Sequence, residues 1–109
     1  MFVKDPRLAI FTAVQAVVEK VAQSYKYPPD LEATLEAGEG RLVLAFYQGD
    51  RWASVSAHDH RQHDGSFTIH VHPYGRAYED CHVDQEDTLR PAAEEILRMI
   101  YPTGFDHLN

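Results

Sequence analysis

The stretch from Ser56 to Pro73, Ser-Ala-His-Asp-His-Arg-Gln-His-Asp-Gly-Ser-Phe-Thr-Ile-His-Val-His-Pro, decides the fold and holds five of the chain's seven histidines. Apolar and polar side chains alternate on both sides of its centre. The alternating apolar residues are Ala53, Val55 and Ala57 before the centre, and Phe67, Ile69 and Val71 after it. Strict alternation is typical of half-buried strands. The stretch therefore predicts an antiparallel hairpin with its odd-numbered side chains toward a core.

A three-residue loop, His63-Asp64-Gly65, keeps odd residues opposite odd residues across this hairpin. Such a loop favours a positive φ at its last position, which glycine adopts without strain. Directly opposed residues share a face of the sheet. The predicted arrangement of the polar face is His58 opposite His70, Ser56 opposite His72, and His60 one step further along.

The same alternation predicts two earlier strands that complete a four-stranded meander. Gly38-Glu39 and Gly49-Asp50 each place glycine at the first central position, as a type II′ turn prefers. The first turn predicts Leu35 opposite Leu42 and Glu36 opposite Arg41, and the second predicts Phe46 opposite Ala53 and Leu44 opposite Val55. Arg76 to Val83 is predicted as a loop or a short edge strand, because either parity turns Glu79 or Asp80 inward.

Two amphipathic helices flank these strands. The first is predicted from Asp5-Pro6 to about Tyr25, where Pro28-Pro29 follows, with its apolar residues at three- and four-residue steps. The second is predicted from the acidic segment Asp84 to Asp87 to about Tyr101. Pro91 is expected in its first turn or at its true start. The sequence thus predicts a single α+β domain over residues 1–109, a two-layer sandwich with both helices on one face of the sheet.

Composition narrows the classes of function. The chain has 109 residues, one cysteine and a formal net charge of −7. The absence of an apolar leader or a long apolar run predicts a cytoplasmic protein without membrane contact. The negative charge opposes nucleic-acid binding, which depends on basic patches. It favours a basic protein partner, and a homodimer is compatible with the sequence.

The open face of the predicted sheet carries two candidate sites. Tyr47 opposite Trp52 forms an aromatic end, and these residues with Arg41 suit a protein interface. An acidic flank that includes Glu86 and Asp87 would steer a basic partner. The leading hypothesis is a non-enzymatic protein-binding module, such as a stoichiometric inhibitor, an adaptor or an immunity-type protein. It requires no cofactor.

The alternative is a histidine-based transition-metal protein or metalloenzyme. Imidazoles on neighbouring strands can converge on Zn²⁺, Ni²⁺ or Cu²⁺. The candidate ligands are His58, His60, His70 and His72. A Ser56–His72 pair would also suit nucleophilic catalysis, but the sequence has no Gly-x-Ser-x-Gly motif. Cys81 is expected to be a buried, inert thiol.

Overall fold

The computed structural model describes residues 6–25, 30–38, 41–59 and 66–101. These residues form two helices and a five-stranded antiparallel sheet in which every strand pairs with the next along the chain. In chain order the elements are α1 (Pro6–Gln23), β1 (Glu32–Gly38), β2 (Arg41–Gln48), β3 (Arg51–Asp59), β4 (Phe67–His72), β5 (Ala77–Cys81) and α2 (Glu86–Ile100). The predicted α+β class is confirmed, and the fifth strand extends the predicted meander.

The core lies between the two helices and the inner face of the sheet. The side chains that are almost fully buried there include Val14, Val18, Phe46, Val55, Phe67, Ile69, Leu89, Ile96, Leu97 and Ile100. Both predicted apolar stripes therefore face the core, as does the odd-numbered face of β3 and β4. Burying each of these side chains stabilises the fold by about 1.5–3 kcal/mol. On the even-numbered face of β3 and β4, Trp52, His58 and His70 are exposed, whereas Ser54 and Thr68 are buried.

The pairing of β2 with β3 follows the prediction. Phe46 lies opposite Ala53, and Tyr47 lies opposite Trp52. Gly49 has a φ of 63°, which a type II′ turn requires at this position. The alternation on both strands and the chemistry of the turn favour the same register, which is why this one was predicted correctly.

The other two predicted registers are wrong by two residues. Leu35 pairs with Leu44 rather than Leu42, and Glu36 lies opposite Val43 rather than Arg41. A two-residue shift returns every side chain to the same face, so the apolar pattern cannot distinguish the alternatives. Only the loop decides between them. Here Gly38 pairs with Arg41, so that Glu39 and Gly40 connect the strands.

The β3–β4 register is shifted in the same way. His70 lies opposite Ser56 rather than His58, and His72 lies opposite Ser54. The loop that was predicted to set this register, His63-Asp64-Gly65, lies outside the described residues, as does His60. The histidines keep the predicted face but lose the predicted direct opposition.

A β-bulge in β5 explains how this strand forms without turning Glu79 or Asp80 toward the core. The pairing with β4 shifts by one residue between Ile69 and Phe67. Asp80 has a φ of 60° at this point, a left-handed conformation that aspartate tolerates better than most residues. Tyr78 and Cys81 can therefore both turn inward, although they are three residues apart. Both acids between them remain exposed.

Pro91 lies deeper in α2 than predicted. The helix begins at Glu86, which places Pro91 in the second turn. Proline has no N–H to donate to the carbonyl group of Asp87. The first turn of α2 is stabilised instead by Thr88, whose hydroxyl donates to the carbonyl of Gln85 at 2.7 Å, and by the burial of Leu89. Tertiary packing here outweighs the local preference for proline at the start of a helix.

Truncating a side chain on the inner face of the sheet should destabilise the protein more than truncating one on the outer face. Phe46→Ala should lower the free energy of unfolding by about 3–5 kcal/mol, because Phe46 has no exposed surface. Trp52→Ala should cost clearly less, because 46% of Trp52 is already exposed. Chemical denaturation of both variants measures the difference. Equal losses would mean that Trp52 is covered in solution.

Candidate binding face

Small side chains run across the middle of the open face. Thr34, Ala45, Ser54 and His72 lie side by side on successive strands. Ala45 and Ser54 are only 2% and 7% exposed. Both line a depression whose other walls include Tyr47 and Trp52, and Ser54 also lines a second one that Arg7 of α1 borders. The open face is therefore grooved rather than flat.

Tyr47 and Trp52 form the aromatic end of this groove. The two residues are directly opposed on β2 and β3, as the sequence predicted. The hydroxyl of Tyr47 donates to Oε2 of Glu36 at 2.5 Å. This hydrogen bond to a carboxylate raises the pKa of Tyr47. Trp52 remains about half exposed, so its ring is presented to solvent beside a fixed tyrosine.

Three depressions meet at Trp52. The largest, about 570 Å³, is lined by Ser54, Ser56 and His72 on the open face. Arg7 of α1 also lines this depression. The pairing of β2 with β3 ends at Leu44 and Val55, and the depression includes residues of both strands past that pair. A second depression, about 240 Å³, lies between Trp52 and the Glu36–Tyr47 pair. A third, about 420 Å³, lies on the far side of Trp52.

The third depression opens at the end of the sandwich. Its walls come from both turns at this end and from α2: Asp50, Arg51, Trp52, Pro73, Tyr74, Glu95 and Met99. Gly75 allows the β4–β5 turn to approach the core closely, because an added Cβ would lie 2.5 Å from the Cβ of Val71. The sequence analysis did not find this pocket, since its residues are distant in sequence. The exposed Tyr74 in the Pro-Tyr-Gly turn was the available signal.

Glu95 of α2 is hydrogen-bonded to this end of the sheet. Its Oε1 accepts hydrogen bonds from the backbone N–H of Arg76 at 2.9 Å and from the hydroxyl of Tyr78 at 2.7 Å. Burial, together with this hydrogen bond, raises the pKa of Tyr78 to about 12. Glu95 also lines the pocket beside Trp52, a position that the sequence alone did not indicate.

Of the predicted histidine ligands, His58, His70 and His72 share the even-numbered face of β3 and β4, and His60 lies outside the described residues. The rings of His70 and His72 are roughly parallel, with centroids 6.4 Å apart. His58 lies opposite Thr68, one diagonal step from His70. Among residues 6–25, 30–38, 41–59 and 66–101, no group of three or more His, Cys, Asp or Glu side chains is arranged to hold a metal ion.

Ser56 and His72 are in hydrogen-bonding contact despite the shifted register. Ser56 Oγ lies 3.1 Å from His72 Nε2, a distance that a nucleophile and its base would require. The two residues are diagonal neighbours rather than opposed. The contact connects β3 to β4 and retains the predicted Ser56–His72 pairing.

The predicted acidic flank lies apart from the aromatic residues. Glu86 forms a 3.0 Å ion pair with Lys20 of α1 and a weaker one with Arg90, so it connects the two helices. The hydrogen bond from Lys20 is the main reason that the pKa of Glu86 is lowered. Asp87 is exposed beside it. Both residues belong to the helical layer, whereas Tyr47 and Trp52 belong to the sheet; Arg41 lies at the start of β2.

Cys81 is fully buried, as the sequence predicted. Its Sγ lies 3.3 and 3.4 Å from the carbonyl oxygens of Tyr78 and Thr88, either of which can accept its single S–H. Burial raises the pKa of Cys81 to about 11. A thiol this basic is protonated at neutral pH and is a poor nucleophile.

Comparison with known proteins finds no match for this chain. No protein-family model matches the chain, and neither the curated proteins nor the solved structures contain a significant match. Within the described residues, neither helix combines the length and the apolar character needed to cross a bilayer. The functional argument therefore depends on the surface itself.

The buried titratable groups predict a loss of stability at alkaline pH. The folded-state pKa is raised to about 11 for Cys81 and to about 12 for Tyr25 and Tyr78. From about pH 9 upward the unfolded chain loses these protons first, so the free energy of unfolding should fall until the folded protein also titrates. Urea denaturation at pH 8 to 11 measures the slope.

Cys81→Ala provides the control for this prediction. The variant should show a shallower decline between about pH 9 and pH 11, because its unfolded state has one fewer group that titrates there. A stability that is constant with pH, or an unchanged slope in the variant, would contradict the assignment.

Proposed function

We propose that this chain is a non-enzymatic protein-binding module that acts through the open face of its sheet. The observation that carries the proposal is the position of Trp52, which is 46% exposed and borders three adjoining depressions. Tryptophan is the residue most enriched among side chains that dominate binding energy. An inhibitor, an adaptor or an immunity-type protein of the cytoplasm would use such a face.

The surroundings of Trp52 support an interface with a defined centre. Hot-spot residues are typically flanked by contacts that exclude water. Tyr47 is held in place by Glu36, and Ser54 forms a shielded floor beside the indole. A partner that covers this face would bury an aromatic centre with hydroxyl and imidazole groups at its edge. That composition resembles the mixed character of non-obligate interfaces.

Charge supports a basic partner. The formal net charge is −7, and complementary potentials accelerate association more than they increase affinity. Asp87, on the helical layer, is exposed and would contribute to steering. Glu86 would contribute less, because Lys20 already neutralises it locally.

The test is affinity capture from the native host with wild-type protein and two variants. Trp52→Ala should lose the captured partner or weaken it by about 2 kcal/mol or more. Val83→Ala is the matched control, since Val83 is 47% exposed and lies in the turn before α2. It should retain the partner. Calorimetry on the identified complex gives the affinities, and equal affinity for wild type and Trp52→Ala would refute the proposal.

Transition-metal binding is the second candidate function. It is favoured by the parallel His70 and His72 rings, 6.4 Å apart, on the same face as His58. Zn²⁺ or Ni²⁺ titration by calorimetry should then give a stoichiometric signal that His58→Ala and His70→Ala abolish. His82→Ala, in the turn before α2, should leave it unchanged. No signal in the wild type, or equal binding by all three variants, would exclude this site.

A further inference from the structure

The pocket between Trp52 and α2 has the composition of a cation site. Two carboxylate residues, Asp50 and Glu95, and two aromatic residues, Trp52 and Tyr74, line it together with Met99. Cations are attracted to the faces of aromatic rings, most strongly to tryptophan. Nearby carboxylates add a direct Coulomb attraction. These features favour a positively charged group attached to an apolar stem.

Arg51 is the one basic residue that lines the same pocket among the described residues. It offsets one of the two carboxylates, so the lining residues keep a formal charge of −1, while the charges of Arg76 and Arg98 act on Tyr78, the hydrogen-bond partner of Glu95. Glu95 already accepts two hydrogen bonds through Oε1. Those contacts fix the carboxylate in place, and a carboxylate has two oxygens and about four acceptor positions. A fixed, partly satisfied carboxylate can still accept a hydrogen bond from a ligand.

We propose that this pocket receives an arginine side chain of the protein partner. The proposal rests on the proposed function, because it specifies the chemistry that the Trp52 face recognises. Arginine fits better than lysine for two reasons: its planar guanidinium stacks on aromatic faces, and its N–H groups match a carboxylate in fixed geometry. The pocket volume of about 420 Å³ accommodates one such side chain, and the negative net charge of the chain favours its approach.

Tyr74 distinguishes this pocket from the two depressions on the open face, whose linings do not include it. Tyr74 is 91% exposed, so little of its ring is buried within the chain itself. A guanidinium held between Tyr74 and Trp52 would cover both rings at once. An exposed aromatic residue next to an exposed tryptophan is the kind of surface that a bound partner protects from water.

The experiment uses the single tryptophan of the chain as its probe. The indole N–H of Trp52 gives one assignable resonance in a ¹H–¹⁵N spectrum. The full chain is titrated with the blocked peptide acetyl-Gly-Arg-Gly-amide and with its citrulline counterpart, which has the same shape but no charge. The arginine peptide should shift the indole resonance and bind in the millimolar range. The citrulline peptide should bind at least about threefold more weakly, as the loss of one exposed charge contact implies.

Three charge variants make the result specific. Glu95→Gln retains the acceptor oxygen for Arg76 and Tyr78 and should weaken the arginine peptide by about threefold. Arg51→Gln should strengthen it, because the competing cation is removed. Glu19→Gln makes the same change in net charge as Glu95→Gln, but on α1 and away from the pocket. It should leave binding unchanged.

The outcomes separate this proposal from the proposed function. Equal binding of the arginine and citrulline peptides, or equal effects of Glu95→Gln and Glu19→Gln, would overturn the arginine pocket. So would a natural partner that is lost by Trp52→Ala but bound normally by Glu95→Gln, a result that would leave the binding face itself intact. A lysine peptide that binds more tightly than the arginine peptide would also overturn the assignment to arginine.

Discussion

The pairing of β2 with β3 is the constraint on which the rest of the structure depends. It places Phe46 opposite Ala53 on the inner face and Tyr47 opposite Trp52 on the outer face. Because successive side chains of a strand point to opposite faces, the same backbone hydrogen bonds fix both sets. Burial of Phe46 under the helices therefore requires that Trp52 point away from them. The exposed aromatic centre is a direct consequence of how the core is built.

The position of small residues beside Trp52 gives this face its shape. Ala45 and Ser54 leave room on the outer face where larger side chains would have filled it. At the end of the sandwich, the close approach of Gly75 to Val71 and the hydrogen bonds to Glu95 bring α2 next to the turns. Trp52 thus lies where the groove of the sheet meets a pocket formed by both layers. Neither feature alone would single out this residue.

The sequence predicted the faces of the sheet better than its registers. Alternation assigns a side chain to a face, so Phe46, Trp52, His58, His70 and His72 were assigned to the correct faces. A slip of two residues preserves every face, which is why His70 was expected opposite His58 and lies opposite Ser56. The β5 strand could not be predicted firmly, because a single left-handed residue, Asp80, changes the alternation.

The sequence predicted the aromatic pair of the candidate site but not the pocket beside it. Tyr47 and Trp52 are neighbours through local turn chemistry, and Gly49-Asp50 identifies that turn in the sequence. The pocket with Glu95 and Met99 depends on how α2 packs across the end of the sheet. Such packing leaves no periodic signal. The role of Glu86 was likewise hidden, since its partner Lys20 is 66 residues away.

The central claim is that the face carrying Trp52 is open to solvent in the isolated protein. Acrylamide quenching of tryptophan fluorescence tests it most directly, because Trp52 is the single tryptophan of the chain. The structure predicts efficient quenching and a solvent-like emission maximum that do not change as the protein is diluted. A blue-shifted emission that resists quenching would contradict the account, because the indole would then be covered. Quenching that increases on dilution would instead show that a second copy occupies the face.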